Sequence, residues 1–446
     1  MLALRLTRVA HPAVQLRRVT VAAASAGTGF LLLCSLGYAL GHPSDSAAAL
    51  LRLSWCAVPL VATVYLAVAV ARADPGTRPR PGLSALGLGP GRLMAVSAAT
   101  TALSCASGSL LAALLFLRLR GGPAGPPLDG AAAEFLAARE QLPVPGTLTL
   151  LAVVPVAASV SAALALRPRD PRHPARETSG AYGRFGARLR GLAGAPAGRT
   201  GTLPDHDQAD DPEREHDPER EHDPVAPDPL RPLPPRRPPA SLPWGIAVLA
   251  VGLSVEAYAG RVTTSAASAT STGPAAALPG GLAADSAPVL IGWLLTALGL
   301  ALAGPGLTHL CGRLLQSVRP GALRLLAGRV LMEEAGRIGR PLGVVCAVAS
   351  GTYALVALYD NGGAPAFGPL TVLGTLLVAG CTVATLLTAA VEARQARAET
   401  AAALLRLGAP ATMLRTAAAL RVGALLAVFV PLTLMIAELA ALPLAR

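Results

Sequence analysis

Apolar residues in this chain come in long blocks, not at the spacing of an amphipathic helix or an alternating strand. Nine blocks approach or exceed the ~20 residues that a helix needs to cross a bilayer. They run approximately Val19–Leu40, Leu51–Ala71, Leu93–Leu117, Thr147–Leu166, Pro243–Gly260, Pro288–Leu310, Pro341–Leu358, Phe367–Val391 and Thr416–Leu442. Each is bounded by Gly, Pro, Arg or Ser clusters, which break regular structure or hold charge at the membrane surface. The pattern predicts an all-α polytopic membrane protein with about nine transmembrane helices, eight to ten as the range, in two related bundles.

The polar segments between the blocks set the organisation. Met1–Arg18 is a basic lead expected to lie on the membrane as an interfacial helix. Ala131–Leu142 is expected to form a short helix within the Arg118–Gly146 connection, and Leu323–Ile338 a separate interfacial helix before the seventh span. Residues 167–242 are rich in Pro, Gly and Arg and carry the tandem hexapeptide DPEREH at Asp211–His222, a composition that predicts a disordered linker. The expected domains are therefore a first bundle of four spans (1–166), the linker (167–242), two linking spans (243–310) and a second bundle of three spans (311–446).

The most patterned polar stretch is Glu392–Arg421, between the last two blocks. Its charges fall at Glu392, Arg394, Arg397 and Glu399, and a run of good helix formers follows as far as Leu407. Gly408 suits the left-handed residue that ends a helix, and Pro410 blocks continuation while suiting the first turn of the next helix. The expectation is a short helix, a sharp turn and then a membrane helix: a rigid elbow at residues 392–415. A shift of 321 residues aligns this elbow with an earlier one without gaps. Leu83 meets Leu404, Leu86 meets Leu407, Gly87 meets Gly408, Leu93 meets Leu414 and Ala98 meets Ala419. Internal repeats of this kind are common among transport proteins.

The run Ala403-Leu404-Leu405-Arg406-Leu407-Gly408-Ala409, preceded by its acidic and arginine cluster, resembles the signature loop of FtsX-like ABC transporter permeases of the MacB and BceB type. Ala85-Leu86-Gly87-Leu88 resembles it more weakly, without the acidic residues. The resemblance implies that the loop docks on a cytoplasmic ABC ATPase subunit, expected as a dimer. Carried over position by position, the coupling residues are Glu392, Arg394, Arg397, Glu399, Arg406, Leu407 and Gly408 in the second elbow, and Leu86 and Gly87 in the first. It further implies a lipophilic or peptide substrate. The alternative is a membrane scaffold or signalling protein derived from such a permease.

Composition sharpens this picture. Only 14% of residues are charged and 52% are hydrophobic, against about 25% charged in soluble domains. The net charge is +12 and every basic residue is arginine, since the chain has no lysine. Most arginines lie in the connections after the second, fourth, sixth and eighth blocks, and thirteen of them fall in residues 167–242. By the positive-inside rule those connections and the N-terminus face the cytoplasm of a cell-membrane protein. The same distribution argues against nucleic acid as a partner and for the lipid bilayer.

Without lysine there is no Walker A loop, because that loop needs a lysine to reach the phosphates. Neither an HExxH pair nor a GxSxG elbow occurs. No catalytic residue, cofactor or metal site is therefore expected, and ATP hydrolysis is assigned to a partner subunit. His206, His216 and His222 sit in the low-complexity linker, where nothing would preorganise a metal site. The six cysteines are isolated and read as small buried hydrophobes. Three charges within the blocks stand out. Glu256 lies near Arg261, and a paired or interfacial role is the expectation, a substrate contact the alternative; Arg421 and Glu438 are expected to reach the interfaces.

Overall fold

The computed structural model describes residues 12–74, 90–120, 142–167, 241–266, 287–317, 321–360, 369–408 and 410–441. Among them every regular element is a helix. In chain order these are α1 (Pro12–Gly41), α2 (Ser46–Trp55), α3 (Ala57–Ala73), α4 (Pro90–Leu119), α5 (Val144–Ala165), α6 (Ser241–Ala266), α7 (Ala287–Ser317), α8 (Ala322–Asp360), α9 (Pro369–Ala396), α10 (Ala398–Arg406) and α11 (Ala411–Ala441). Eight helical stretches among the described residues are long and apolar enough to cross a membrane, which makes this an all-α multi-pass membrane protein.

Three boundaries differ from the sequence reading. The first helix starts at Pro12, a residue at home in a first turn, and carries Arg17 and Arg18 into α1. The second span starts at Ser46 and is made of two helices, α2 and α3, joined at Cys56, whose torsions stay in the right-handed helical region (φ −62, ψ −15). The expected interfacial helix at Leu323–Ile338 and the expected seventh span at Pro341–Leu358 are one 39-residue helix, α8, with Pro341 inside it. Proline removes a single backbone donor, and packing against a neighbour compensates for that loss in a membrane helix. Part of the C-terminal end of α8 has side chains outside the described residues, and the expected seventh span is not one of the eight stretches. The expected helix at Ala131–Leu142 and the 167–242 linker, with His206, His216 and His222, also lie outside the description, apart from a few flanking residues.

The helices group around two central members. About half of the spanning window is buried in α1 (56%) and α7 (50%), against 17–28% in the other six stretches. Around α1 pack α3, α4 and α5; around α7 and its neighbour α8 pack α6 and α11. α9 packs on α3 and α1 as well as on α8, and so joins the two groups. Its Cys381, Leu373 and Leu377 lie in the same apolar cluster as Val21, Leu66 and Cys105.

Small residues and hydroxyls hold these contacts, because hydrocarbon tails are as apolar as leucine and association must come from close packing and hydrogen bonds. A side chain at Gly304 of α7 would run into the backbone carbonyl of Gly339 on α8, and one at Gly108 of α4 into that of Ala22 on α1. Thr28 of α1 and Thr63 of α3 share a buried hydrogen bond of 2.8 Å, and the Thr63 hydroxyl lies 3.9 Å from Cys381 Sγ of α9. All six cysteines are buried and free.

The 321-residue shift carries residues 90–119 of α4 onto 411–440, the extent of α11 but for one residue. It carries α3 into α9 and most of α1 into α8. The contacts repeat as well: α1 packs on α3 and α4, α8 on α9 and α11, and the two equivalent helices α3 and α9 pack on each other.

Candidate functional site

The elbow begins in the last turn of α9, where Glu392 is half-buried and Arg394 exposed. The helix breaks at Arg397 without leaving the helical region (φ −98, ψ −5), and the chain resumes as α10. Two bonds hold this bend. Arg397 N–H donates to Arg394 O at 3.3 Å, and Ala401 N–H donates to Arg397 O at 2.8 Å. α10 then ends as the sequence predicts. Leu407 N–H reaches Ala403 O at 3.1 Å, Gly408 N–H reaches Leu405 O at 3.1 Å, and Gly408 adopts φ +87. That torsion is the left-handed conformation in which a Cβ is penalised. Pro410 precedes the first turn of α11, and its carbonyl accepts from Met413 N–H at 3.0 Å.

This turn exposes Leu407 at its tip, 83% accessible, beside the exposed Arg406 and Gly408. Among the described residues a leucine so exposed has no packing role. Glu399 lies on α10. Leu86 and Gly87 of the first elbow lie outside the described residues.

Arg397 is not a free surface charge. Its Nε donates to Glu334 Oε1 on α8 at 2.6 Å and also points to Ala393 O at 3.1 Å. Glu334 is buried, and burial pushes its carboxyl above the ordinary value of 4.5; Arg397 and then Arg337 pull it back, while Glu333 adds to the rise. Sequence reasoning missed Glu334. The one signal was the Glu333-Glu334 pair within a connection otherwise rich in arginine.

Between the start of α8, α10 and the start of α11 lies a groove of about 570 Å³. Arg394, Arg397, Arg415 and Arg421 line it over an apolar floor that includes Val330 and Leu414. Arg421 is half-buried and its Nε donates to Ala417 O at 3.2 Å. Opposite charge from a partner or a headgroup would suit this groove, since four guanidiniums in one place repel one another.

The other two intramembrane charges behave differently from each other. Glu438 of α11 is exposed and accepts a hydrogen bond from Tyr353 of α8 at 2.8 Å. Glu256 of α6 does not reach an interface: it is 1% accessible. Thr296 of α7 donates to its Oε1 at 2.9 Å, and Oε2 has no partner among the described residues. The expected interfacial role is thereby replaced by a buried one. The physical reason lies in the crossing of α6 and α7, where Gly292 leaves the space that the Glu256 stem fills: a Cβ there would stand 2.5 Å from Glu256 Cγ.

Among the described residues no group of three or more potential metal ligands comes together. Compared with family models, curated proteins and solved structures, the chain matches none.

Proposed function

We propose that this chain is the membrane-spanning permease subunit of an ABC transporter of the FtsX-like kind, which couples a separate cytoplasmic ATPase to export or mechanical transmission across the cell membrane. The observation that carries this reading is Leu407, 83% exposed at the tip of an elbow that connects α9, the helix joining the two groups, to α11 of the second group. α9, on one side, sits against α3 and α1 of the first group and α8 of the second. α11, on the other, sits against α8. A force on α10 therefore acts where the two groups join, and it shears one against the other.

The arginine distribution supports a cytoplasmic elbow, within reach of a soluble ATPase. Closure of an ATPase dimer around Leu407 and Arg406 would push α10. The Arg397–Glu334 ion pair at its root would pass the movement to α8. With no lysine for a phosphate-binding loop, the chain draws its energy from that partner.

The reading is tested by co-expressing the tagged chain with the ATPase encoded by the neighbouring reading frame and measuring what co-purifies. The ATPase should be retained by the wild type and lost on Leu407→Asp. A neighbouring frame that encodes no such ATPase, or co-purification unaffected by Leu407→Asp, would overturn it.

A further inference from the structure

At the end of the bundle away from the elbow lies a cavity of about 370 Å³, within the size range of small-molecule sites. Its walls come from both helix groups: Trp55 at the end of α2, Glu256 of α6, Trp293 of α7, Ala347 of α8, Thr375 of α9 and Ile436 of α11. Thr375 precedes Arg397 by about 33 Å along the helix, at ~1.5 Å per residue, so this site is distinct from the elbow.

The cavity collects unmet polar groups. Glu256 Oε2, Trp55 Nε1 and Trp293 Nε1 are all buried without a hydrogen-bond partner, and all three residues line it. Glu256 is the one ionisable group among the described residues of its wall; the rest is apolar or hydroxyl-bearing. A buried carboxyl left half-satisfied is costly unless something meets it. Two indoles beside a carboxyl in an apolar chamber make the chemistry that recognises an organic cation. The carboxylate supplies the charge, the indole faces attract a cation through their quadrupoles, and the walls take the apolar body.

We propose that this cavity binds a lipophilic organic cation, an amine or onium compound, with Glu256 as its counter-charge and Trp55 and Trp293 as its aromatic walls. An organic anion could accept from the two indole N–H groups but would face the Glu256 carboxylate with no basic group among those residues to offset it. A neutral molecule without a hydrogen-bond donor would leave the second carboxyl oxygen unpaired. The assignment goes beyond the coupling reading and does not depend on an ATPase.

The test uses the full chain alone, in phosphatidylcholine nanodiscs, without nucleotide or partner. Binding of labelled tetraphenylphosphonium is measured by equilibrium dialysis against empty nanodiscs. Tetraphenylborate, of the same shape and opposite charge, is the control. Saturable binding of the phosphonium is expected, with the borate at least about ten-fold weaker. Glu256→Gln should weaken phosphonium binding by about ten-fold or more. Ala347→Leu fills the chamber from α8 and leaves the carboxyl in place; it should do the same. Thermal midpoints read in parallel show which variants are folded, and either folded variant is decisive. Absence of saturable binding to the wild type, equal binding of the two ions, or unchanged binding by a folded variant overturns the proposal. None of these results bears on whether an ATPase docks at Leu407.

Discussion

Arg397 Nε donates to Glu334 Oε1 across 2.6 Å and ties the root of α10 to α8. The first half holds a comparable tie with the charges exchanged: Arg18 of α1 meets Asp74, just past the end of α3, at 3.2 Å. In each half an ion pair at the end of one helix, α3 or α9, fastens it to a packed neighbour, α1 in the first half and α8 in the second.

The two partners of the Arg397–Glu334 pair should respond unequally to mutation. Glu334 is 11% exposed at its side chain and Arg397 32%. Arg397→Gln strands a buried carboxyl and should cost about 1–3 kcal/mol. Glu334→Gln leaves a guanidinium that water can reach and should cost less. The thermal midpoints of the two variants, compared in the same nanodiscs, check the order.

The same pair sets a pH dependence. Burial raises the Glu334 carboxyl above 4.5, so the folded state holds that proton more tightly than the unfolded chain does. Its contribution to stability is greatest below the unfolded value, falls as pH rises through the folded value and then levels off. Arg397→Gln removes the strongest influence holding the carboxyl down and should steepen that fall. Glu334→Gln should abolish it. Midpoints measured at intervals from pH 4 upward read the slope.

At the elbow tip, backbone and side chain should separate. No atom stands within 4 Å of a Cβ added to Gly408, so Gly408→Ala meets only the cost of its φ of +87, about 1–2 kcal/mol. Leu407→Asp should change stability by less than about 0.5 kcal/mol, as an exposed position does. A midpoint that drops for Leu407→Asp as far as for Gly408→Ala would show that Leu407 packs within the chain after all.

Close helix contact should be as sensitive as the geometry implies. Gly304→Ala would force α7 and α8 apart at Gly339, and overpacking of this kind costs about 1–3 kcal/mol. Gly380→Ala on α9 meets open space and should be neutral or stabilising by up to about 1 kcal/mol. The pair is compared by thermal midpoint.

All six cysteines are buried. A maleimide should modify none of them in the folded chain and six after denaturation, read by intact mass. Rapid labelling of Cys56 in the folded chain would show that the joint between α2 and α3 opens.

Much of this was legible in the sequence because the signals were local. A block of apolar residues specifies a spanning helix wherever it packs, since a backbone in hydrocarbon must satisfy its own hydrogen bonds. The end of α10 was equally readable: Gly408 and Pro410 act through their own torsions and need no distant partner. Pro341 misled for the converse reason. Read locally it separates two helices; in the folded chain α8 runs through it while packing on α7.

Which face each helix turns inward was not legible. A span that is apolar all round carries no hydrophobic stripe, and only its glycines and hydroxyls mark the seams. The pairing of Arg397 with Glu334, the joining of the halves by α3 and α9, and the burial of Glu256 against Thr296 all link residues tens to hundreds of positions apart. The sequence by itself determined that this chain is a helical membrane protein with a sharply capped elbow. The tertiary structure decided that the elbow joins two helix groups and that a carboxyl stands half-satisfied in a chamber between them, because both depend on helix facing, which uniform apolarity leaves open.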